Sequence, residues 1–152
     1  MPIFHTQSAE ELRKLGASFA RGICPGVVAL SGELGAGKTT FSQGILAEMG
    51  ATGPFTSPTF VIMKQYDLAV PLEGIERIYH VDAYRIGEAD LRAQGFAEWA
   101  SDPNGVVLLE WPERVPGLVP ETATRISFTV EKTGRRIEWQ KNEMQDKGLL
   151  VS

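Results

Sequence analysis

A glycine-rich stretch, GELGAGKTT at residues 32–40, carries the clearest chemical signature in the chain. Gly32, Gly37, Lys38 and Thr39 fit the pattern G-x-x-x-x-G-K-[ST], in which backbone N–H groups hold phosphate oxygens. We expect Lys38 to reach the β and γ phosphates of a nucleoside triphosphate, and the Thr39 hydroxyl to enter a Mg²⁺ shell. The other loop residues expected to bind the nucleotide are Gly35, Ala36 and Thr40.

Two acids are candidates to complete such a site. A bound triphosphate needs a metal, and the metal needs a carboxylate at the end of a neighbouring strand. Glu110 follows the apolar run VVLL, and Asp82 follows IYHV. One acid would order the metal and the other would orient water, but composition does not decide between them. Either can also be a solvated acid at the end of a strand.

The segment TSPTF, residues 56–60, offers hydroxyl groups between the loop's helix and the next strand. Switch segments of nucleotide hydrolases place a hydroxyl near the γ phosphate at this position, but Ser-Pro also begins ordinary strands. Three more residues near these motifs could serve the site or only the surrounding structure. We interpret His80 as a structural histidine, Arg85 as a partner of either a phosphate or an acid, and Trp111 as either core or site.

Hydrophobic patterning predicts the elements that position these residues. The apolar run at 27–31 predicts a buried strand before the loop, and Phe41, Ile45 and Met49 predict a helix over 38–49 that Gly50 ends. Ser8 and Glu11 predict a capping box at the start of an earlier helix. The other predicted elements are an edge strand at 2–6, strands at 59–68, 77–86 and 105–111, a short helix at 88–93, and a hairpin with its turn at Thr133-Gly134. The predicted fold is α/β and P-loop NTPase-like: a central, mostly parallel sheet flanked by helices, with a C-terminal antiparallel hairpin.

Length and composition limit the class of protein. The 152 residues predict a single domain over residues 1–152, and 43% hydrophobic residues are enough for a core. A net charge of −4 argues against free nucleic acid as the main partner. Cys24 is the only cysteine, which excludes an intramolecular disulfide. The N-terminal residues lack a secretory leader and no apolar run approaches about 18 residues, so we expect a cytoplasmic protein without a membrane span.

Four motifs in order, GELGAGKTTF, SPTF, HVDAYR and LLEWPER, resemble the TsaE family (formerly YjeE). The resemblance implies an ATPase that acts with the TsaD and TsaB proteins, which attach a threonylcarbamoyl group to adenosine 37 of ANN-decoding tRNAs. It implies that ATP binding and hydrolysis drive or reset that complex, and that tRNA is met through the complex. It assigns phosphate and Mg²⁺ to Lys38 and Thr39, a further metal bond to Glu110, and a catalytic or water-orienting role to Asp82. The residues left for partner-facing or switch roles are Thr56, Ser57, Thr59 and Trp111, and those suggested for base and ribose are Ser8, Gly134 and Arg135.

The base and the reaction class leave alternatives. The guanine-binding sequence Asn-Lys-x-Asp does not occur, which favours adenine. A small-molecule or nucleoside kinase can use the same loop, but it usually needs an arginine-rich lid, and Arg135-Arg136 is the only adjacent arginine pair. A non-catalytic, nucleotide-dependent binding module is the third class. No arginine finger is evident in the sequence, so we expect slow hydrolysis alone and faster hydrolysis with partners.

Overall fold

The computed structural model describes residues 2–55 and 61–140. Within these ranges, a mixed seven-stranded sheet carries helices on both faces. The strands are β1 (Ile3–Thr6), β2 (Gly26–Gly32), β3 (Met63–Leu72), β4 (Ile75–Asp82), β5 (Gly105–Glu110), β6 (Thr124–Val130) and β7 (Arg135–Gln140). The helices are α1 (Ala9–Ala20), α2 (Lys38–Glu48), α3 (Glu88–Gln94) and α4 (Phe96–Ala100). None of the helices in the described ranges is both long and apolar enough to cross a membrane.

The strand order is β1-β7-β6-β2-β5-β4-β3. The four central strands, β6, β2, β5 and β4, pair in parallel, whereas β3 and the β7–β1 pair are antiparallel additions at the two edges. The predicted fold class is therefore confirmed, including the hairpin formed by β6 and β7 and the edge position of the first strand.

The central strands are apolar because both of their faces are covered. On one face, α1 and α2 pack against side chains that include Val28, Leu30, Val106 and Leu108. On the other face, α3 and α4 place Leu91 and Phe96 against side chains that include Val27, Val107 and Leu109. Loops that follow the parallel strands therefore emerge together at one edge of a rigid three-layer core.

Helix α1 begins with the predicted cap. The Ser8 hydroxyl accepts a hydrogen bond from the N–H of Glu11 at 3.1 Å, and the Glu11 carboxylate accepts one from the N–H of Gln7. Two glycines then let α1 and α2 come close together. A Cβ added at Gly16 would overlap the Phe41 carbonyl oxygen, and one at Gly44 would overlap that of Arg13. This contact fixes α1 against the helix that follows the glycine loop.

Three predicted boundaries are wrong. Strand β3 begins at Met63 rather than Thr59, because Ile62 turns the backbone with φ 66°; residues 59 and 60 lie outside the described residues. The strand continues to Leu72, where Glu73 (φ 54°) and Gly74 (φ 81°) form a tight hairpin turn to β4. Strand β4 ends at Asp82 rather than Ile86, because the Asp82 carboxylate accepts from the N–H of Tyr84 and bends the chain. Helix α4 was missed because it follows α3 through a single residue, Gly95, at φ 115°.

Candidate functional site

The glycine loop joins β2 to α2 with a backbone that only glycine adopts easily. Gly35 has φ 79° and Gly37 has φ 108°, both in the left-handed region. Gly37 is also the N-cap of α2, so no side chain caps this helix, and its first turn contains no acid. The first N–H groups of a helix have no partners within it. In α1 a capping serine meets this need, whereas in α2 the same groups are left for an anion.

Lys38 points into the protein rather than into solvent. Its side chain is buried, and Nζ donates a hydrogen bond to the Gly32 carbonyl oxygen at 2.6 Å. The same ammonium lies 3.3 Å from the centre of the Trp111 ring. Burial lowers the pKa of Lys38, and the charges of Glu110, Glu113 and Asp82 oppose that effect. The loop thus places a cation beside carboxylates in a largely desolvated position.

The two candidate acids lie side by side. Asp82 at the end of β4 pairs in register with Glu110 at the end of β5, so both side chains are on the same face of the sheet as α2. Both residues are buried. The Asp82 carboxylate accepts from the N–H of Tyr84 at 2.9 Å. The Thr39 hydroxyl lies 3.1 and 3.2 Å from the two carboxylate oxygens of Glu110 and donates its hydrogen to them.

The contact between Thr39 and Glu110 fits a magnesium site that is shared with a ligand. A hydroxyl that gives its hydrogen to a carboxylate keeps its lone pairs for a cation. The described residues contain no group of three or more His, Cys, Asp and Glu side chains that could hold a metal by themselves. Mg²⁺ commonly takes only one or two protein carboxylates and completes its shell with phosphate oxygens and water. The donor set is therefore suited to a metal that arrives with a phosphate ligand.

Two cavities lie beside the glycine loop. One cavity, of about 190 Å³, is lined by Leu34, Gly35, Gly37, Lys38, Thr39, Thr40, Asp82, Glu110 and Trp111. A second, of about 200 Å³, is lined by Thr6, Gln7, Ser8, Ala9, Leu12, Gly35, Gly37, Thr40, Gly134 and Arg135. The two cavities share three loop residues. The first contains the charged groups and the second is bounded by α1 and the hairpin.

The turn between β6 and β7 closes the second cavity. Gly134 has φ 89°, and a Cβ there would overlap the Thr6 carbonyl oxygen, so the turn sits tightly on β1. Arg135 donates to the Gly35 carbonyl oxygen at 3.1 Å and so connects the turn to the glycine loop. Ser8, Gly134 and Arg135 were singled out from the sequence, and the structure brings them together along this wall.

Some site residues were not expected from the sequence. His80 contacts Glu110, Arg114 lies over the Tyr84 ring at 4.7 Å, and Tyr84 packs against Trp111. Arg114 comes four residues after Glu110 in the motif LLEWPER, so the sequence alone could have predicted that Arg114 lies near Glu110. Arg85 is exposed. Thr56, Ser57 and Thr59, predicted as switch or partner-facing residues, lie outside the described residues.

The fold and the loop together define an α/β protein in which a glycine-rich loop joins a central parallel strand to a helix. A family model described as threonylcarbamoyl adenosine biosynthesis protein TsaE matches residues 6–142. The chain belongs to the TsaE family. It is 35% identical over 129 residues to the tRNA threonylcarbamoyladenosine biosynthesis protein TsaE of Bacillus subtilis, covering 84% of this chain and 74% of that protein.

Two further comparisons agree with this assignment. The protein of the same name from Treponema pallidum is 33% identical over 132 residues, which cover 86% of this chain and 93% of the relative. The crystal structure of YdiB from Bacillus subtilis superposes with a TM-score of 0.78 at 28% identity, over 99% of this chain and 94% of that chain. The resemblance stated from the four motifs is therefore confirmed.

Proposed function

We propose that this protein binds and hydrolyses ATP with Mg²⁺, and that the hydrolysis drives or resets the TsaD–TsaB complex during threonylcarbamoylation of adenosine 37 in ANN-decoding tRNAs. One observation carries the proposal. The uncapped N-terminus of α2 and the Lys38 ammonium face a pair of buried carboxylates, Asp82 and Glu110, across a single cavity. A site with fixed positive groups on one side and acids on the other suits a phosphate chain bound with a divalent cation.

The two cavities suggest how ATP would lie. Its phosphates would bind the loop N–H groups and Lys38, in the cavity that holds the acids. The adenosine would lie across the loop, in the cavity beside Ser8, Gly134 and Arg135. The loop residues that would contact the nucleotide are Gly35, Ala36, Gly37, Lys38, Thr39 and Thr40.

Glu110 and Asp82 would then have different roles in the hydrolysis of ATP. Mg²⁺, when bound, would neutralise charge on the β and γ phosphates. Thr39 and Glu110 would hold it, because the hydroxyl and the carboxylate already face each other. Asp82 would orient the attacking water. The water oxygen would bond to the γ phosphorus as the bond between that phosphorus and the oxygen that bridges to the β phosphate breaks. ADP would leave, and the proton lost by the water would pass to an oxygen of the released phosphate.

The isolated chain is expected to be slow. Arg135 is engaged by the Gly35 carbonyl oxygen, and Arg114 lies over the Tyr84 ring. An arginine supplied by a partner can raise the rate of such hydrolysis by about 10³–10⁵-fold. We propose that TsaD–TsaB stimulates the reaction, that Trp111 lies toward that complex, and that tRNA is met only through it. The net charge of −4 supports an indirect contact with tRNA. The reaction would take place in the cytoplasm.

The test is phosphate release from ATP by the purified protein, alone and with TsaD–TsaB. We expect stimulation in the wild type and its loss in Lys38→Ala. Lys14→Ala is the matched control, because Lys14 is exposed on α1 and pairs with Glu10 across one helical turn. Stimulation that persists in Lys38→Ala would contradict the proposal. ATP binding without hydrolysis would indicate a nucleotide-dependent binding module, and transfer of the γ phosphate to an acceptor other than water would indicate a kinase.

A further inference from the structure

His80 is a polar residue on an apolar face of the sheet. It lies in β4 two residues before Asp82, and its in-register neighbour on β5 is Leu108. The imidazole is only 1% exposed, below the layer formed by α1 and α2. Burying a polar ring costs free energy unless hydrogen bonds replace those to water. The ring therefore needs a partner inside the protein.

That partner is Glu110. Nε2 of His80 lies 2.5 Å from Oε2 of Glu110, whereas Nδ1 has no hydrogen-bond partner among the described residues. A hydrogen on Nδ1 would be a buried donor without an acceptor. We therefore assign the hydrogen to Nε2, which donates it to the carboxylate.

The Glu110 carboxylate is thus held from two sides. The imidazole holds Oε2 from within the sheet, and the Thr39 hydroxyl donates to both oxygens from the start of α2. Glu110 is itself only 3% exposed, so water does little to fix its orientation. The three residues come from three elements, β4, β5 and α2, which the core packs rigidly.

We propose that His80 is a positioning residue, which orients the Glu110 carboxylate toward Thr39 and toward the metal that arrives with the nucleotide. The inference rests on the proposed function and adds a residue to its metal site. Hydrogen bonds that orient metal ligands commonly change metal affinity by about 10–100-fold when they are removed. A histidine that merely fills the core would affect folding stability but not the metal.

Three substitutions separate these roles. His80→Gln keeps an amide N–H₂ donor at about the reach of Nε2, His80→Asn carries the same group on a shorter side chain, and His80→Leu keeps apolar volume without a donor. The probe is Mn²⁺, whose binding to the protein–ADP complex is measured by electron paramagnetic resonance. ADP binding in the presence of a chelator gives the metal-free reference, and Glu110→Gln is the variant that lacks the proposed ligand.

We expect His80→Leu and His80→Asn to weaken Mn²⁺ binding by about tenfold and His80→Gln by less than about threefold. All three should bind metal-free ADP like the wild type. Equal Mn²⁺ affinity in His80→Leu and the wild type, while Glu110→Gln loses it, would overturn the inference and leave the proposed function intact. A wild type that binds no ADP, or a Glu110→Gln variant with full Mn²⁺ affinity, would overturn the inference together with the proposed site.

A measurement on the unaltered protein covers the case in which these variants fold poorly. The chain has two histidines, and His5 is exposed, so nitrogen-15 labelling of histidine gives two separable rings. We expect the buried ring to carry its hydrogen on Nε2, with slow exchange against solvent. A ring protonated only on Nδ1 would overturn the inference, because Nε2 would then have nothing to donate.

Discussion

The ammonium of Lys38 lies 3.3 Å from the centre of the Trp111 ring, while its Nζ also donates to the carbonyl oxygen of Gly32. Trp111 reaches this position through a left-handed backbone, φ 66°, which a bulky residue rarely adopts. Such strain persists where the surroundings hold it, and such residues cluster at functional sites. The aromatic face of Trp111 and the Gly32 carbonyl oxygen thus hold the loop lysine inside the site, and a phosphate that bound Lys38 would have to compete with both contacts.

Trp111 should therefore report nucleotide binding. A cation over an indole ring is worth about 0.5–2 kcal/mol, and phosphate offers the ammonium a stronger, charge-assisted hydrogen bond. We expect ATP to draw Lys38 from the ring and to change the intrinsic fluorescence of the protein in a saturable way. The measurement is a fluorescence titration with ATP.

The control for this titration is Trp111→Phe, which keeps an aromatic face for the lysine. Trp99 and Trp139 remain in that variant; Trp99 lies in α4 and stacks on the Tyr79 ring. The fluorescence change should disappear while ATP affinity, measured calorimetrically, stays within a few-fold. An undiminished change in Trp111→Phe would show that another tryptophan reports binding.

Gly44→Ala should destabilise the protein although it improves helix propensity. In an isolated helix the change favours folding by about 1 kcal/mol. In α2 the new Cβ would overlap the Arg13 carbonyl oxygen, and such overpacking costs about 1–3 kcal/mol. We expect a lower midpoint in urea unfolding. Gly22→Ala is the control, because nothing lies within 4 Å of a Cβ there, and its effect should stay within about 0.5 kcal/mol. A stabilised Gly44→Ala would mean that the two helices separate easily.

Much of the fold was predictable because its signals are local. The runs VVALS and VVLLE specify strands buried on both faces, and Ser8 with Glu11 specifies the start of α1. The errors occur where the backbone takes a local conformation without a strong sequence signature. Ile62 turns the backbone with φ 66°, so β3 begins at Met63, four residues after the predicted Thr59, and Glu73-Gly74 is a less typical hairpin turn than Asn-Gly.

The site was predictable only in part, for a different reason. The loop is one contiguous motif, so spacing identified it, and the acids follow recognisable apolar strands. Contacts between distant elements leave no such trace. The bond from His80 to Glu110 depends on the register of β4 against β5, and that of Arg135 to Gly35 depends on how the hairpin meets the loop. From the sequence we interpret His80 as a structural histidine. The structure shows that it contacts the Glu110 carboxylate.

Arg135→Gln should weaken ATP binding. Its guanidinium connects the hairpin turn to the Gly35 carbonyl oxygen and lines the cavity proposed for adenosine. Loss of this charged group should reduce affinity by about tenfold, equivalent to about 1.4 kcal/mol. Arg136→Gln is the matched control, because Arg136 lies on the opposite face of β7 and pairs with Glu138. Calorimetric titration with ATP separates the two, and equal losses would indicate a general charge effect.

Asp102→Asn should remove a pH-dependent contribution to stability. Hydrogen bonds from Arg77, at 2.7 and 3.1 Å, and from the Tyr79 hydroxyl, at 2.6 Å, hold the pKa of Asp102 well below its usual range. The folded state therefore binds fewer protons than the unfolded state. The stabilisation is present above the unfolded pKa of about 3.9 and is lost as pH falls below it.

We accordingly expect the difference in Tm between the wild type and Asp102→Asn to be largest near neutral pH and to shrink between about pH 5 and pH 3. Thermal scans at several pH values measure it. Asp67→Asn serves as the control, because Asp67 is exposed and its carboxylate accepts a hydrogen bond from the exposed side chain of Gln65. A Tm difference that does not vary with pH would show that the carboxylate contributes through packing rather than through charge.

Neutralising Asp82 and neutralising Glu110 should change different properties of the reaction, namely its maximal rate and its Mg²⁺ requirement. Glu110 is joined to Thr39 and His80, so Glu110→Gln should weaken the metal site and raise the Mg²⁺ concentration needed for half-maximal phosphate release by at least about tenfold. Asp82→Asn should leave that requirement unchanged and lower the maximal rate by about 10²–10⁴-fold, as expected for a residue that acts on water. The measurement is a Mg²⁺ titration of phosphate release with TsaD–TsaB present. A raised Mg²⁺ requirement in Asp82→Asn, together with a normal one in Glu110→Gln, would exchange the two roles, and identical profiles would mean that the carboxylates bind the metal as a pair.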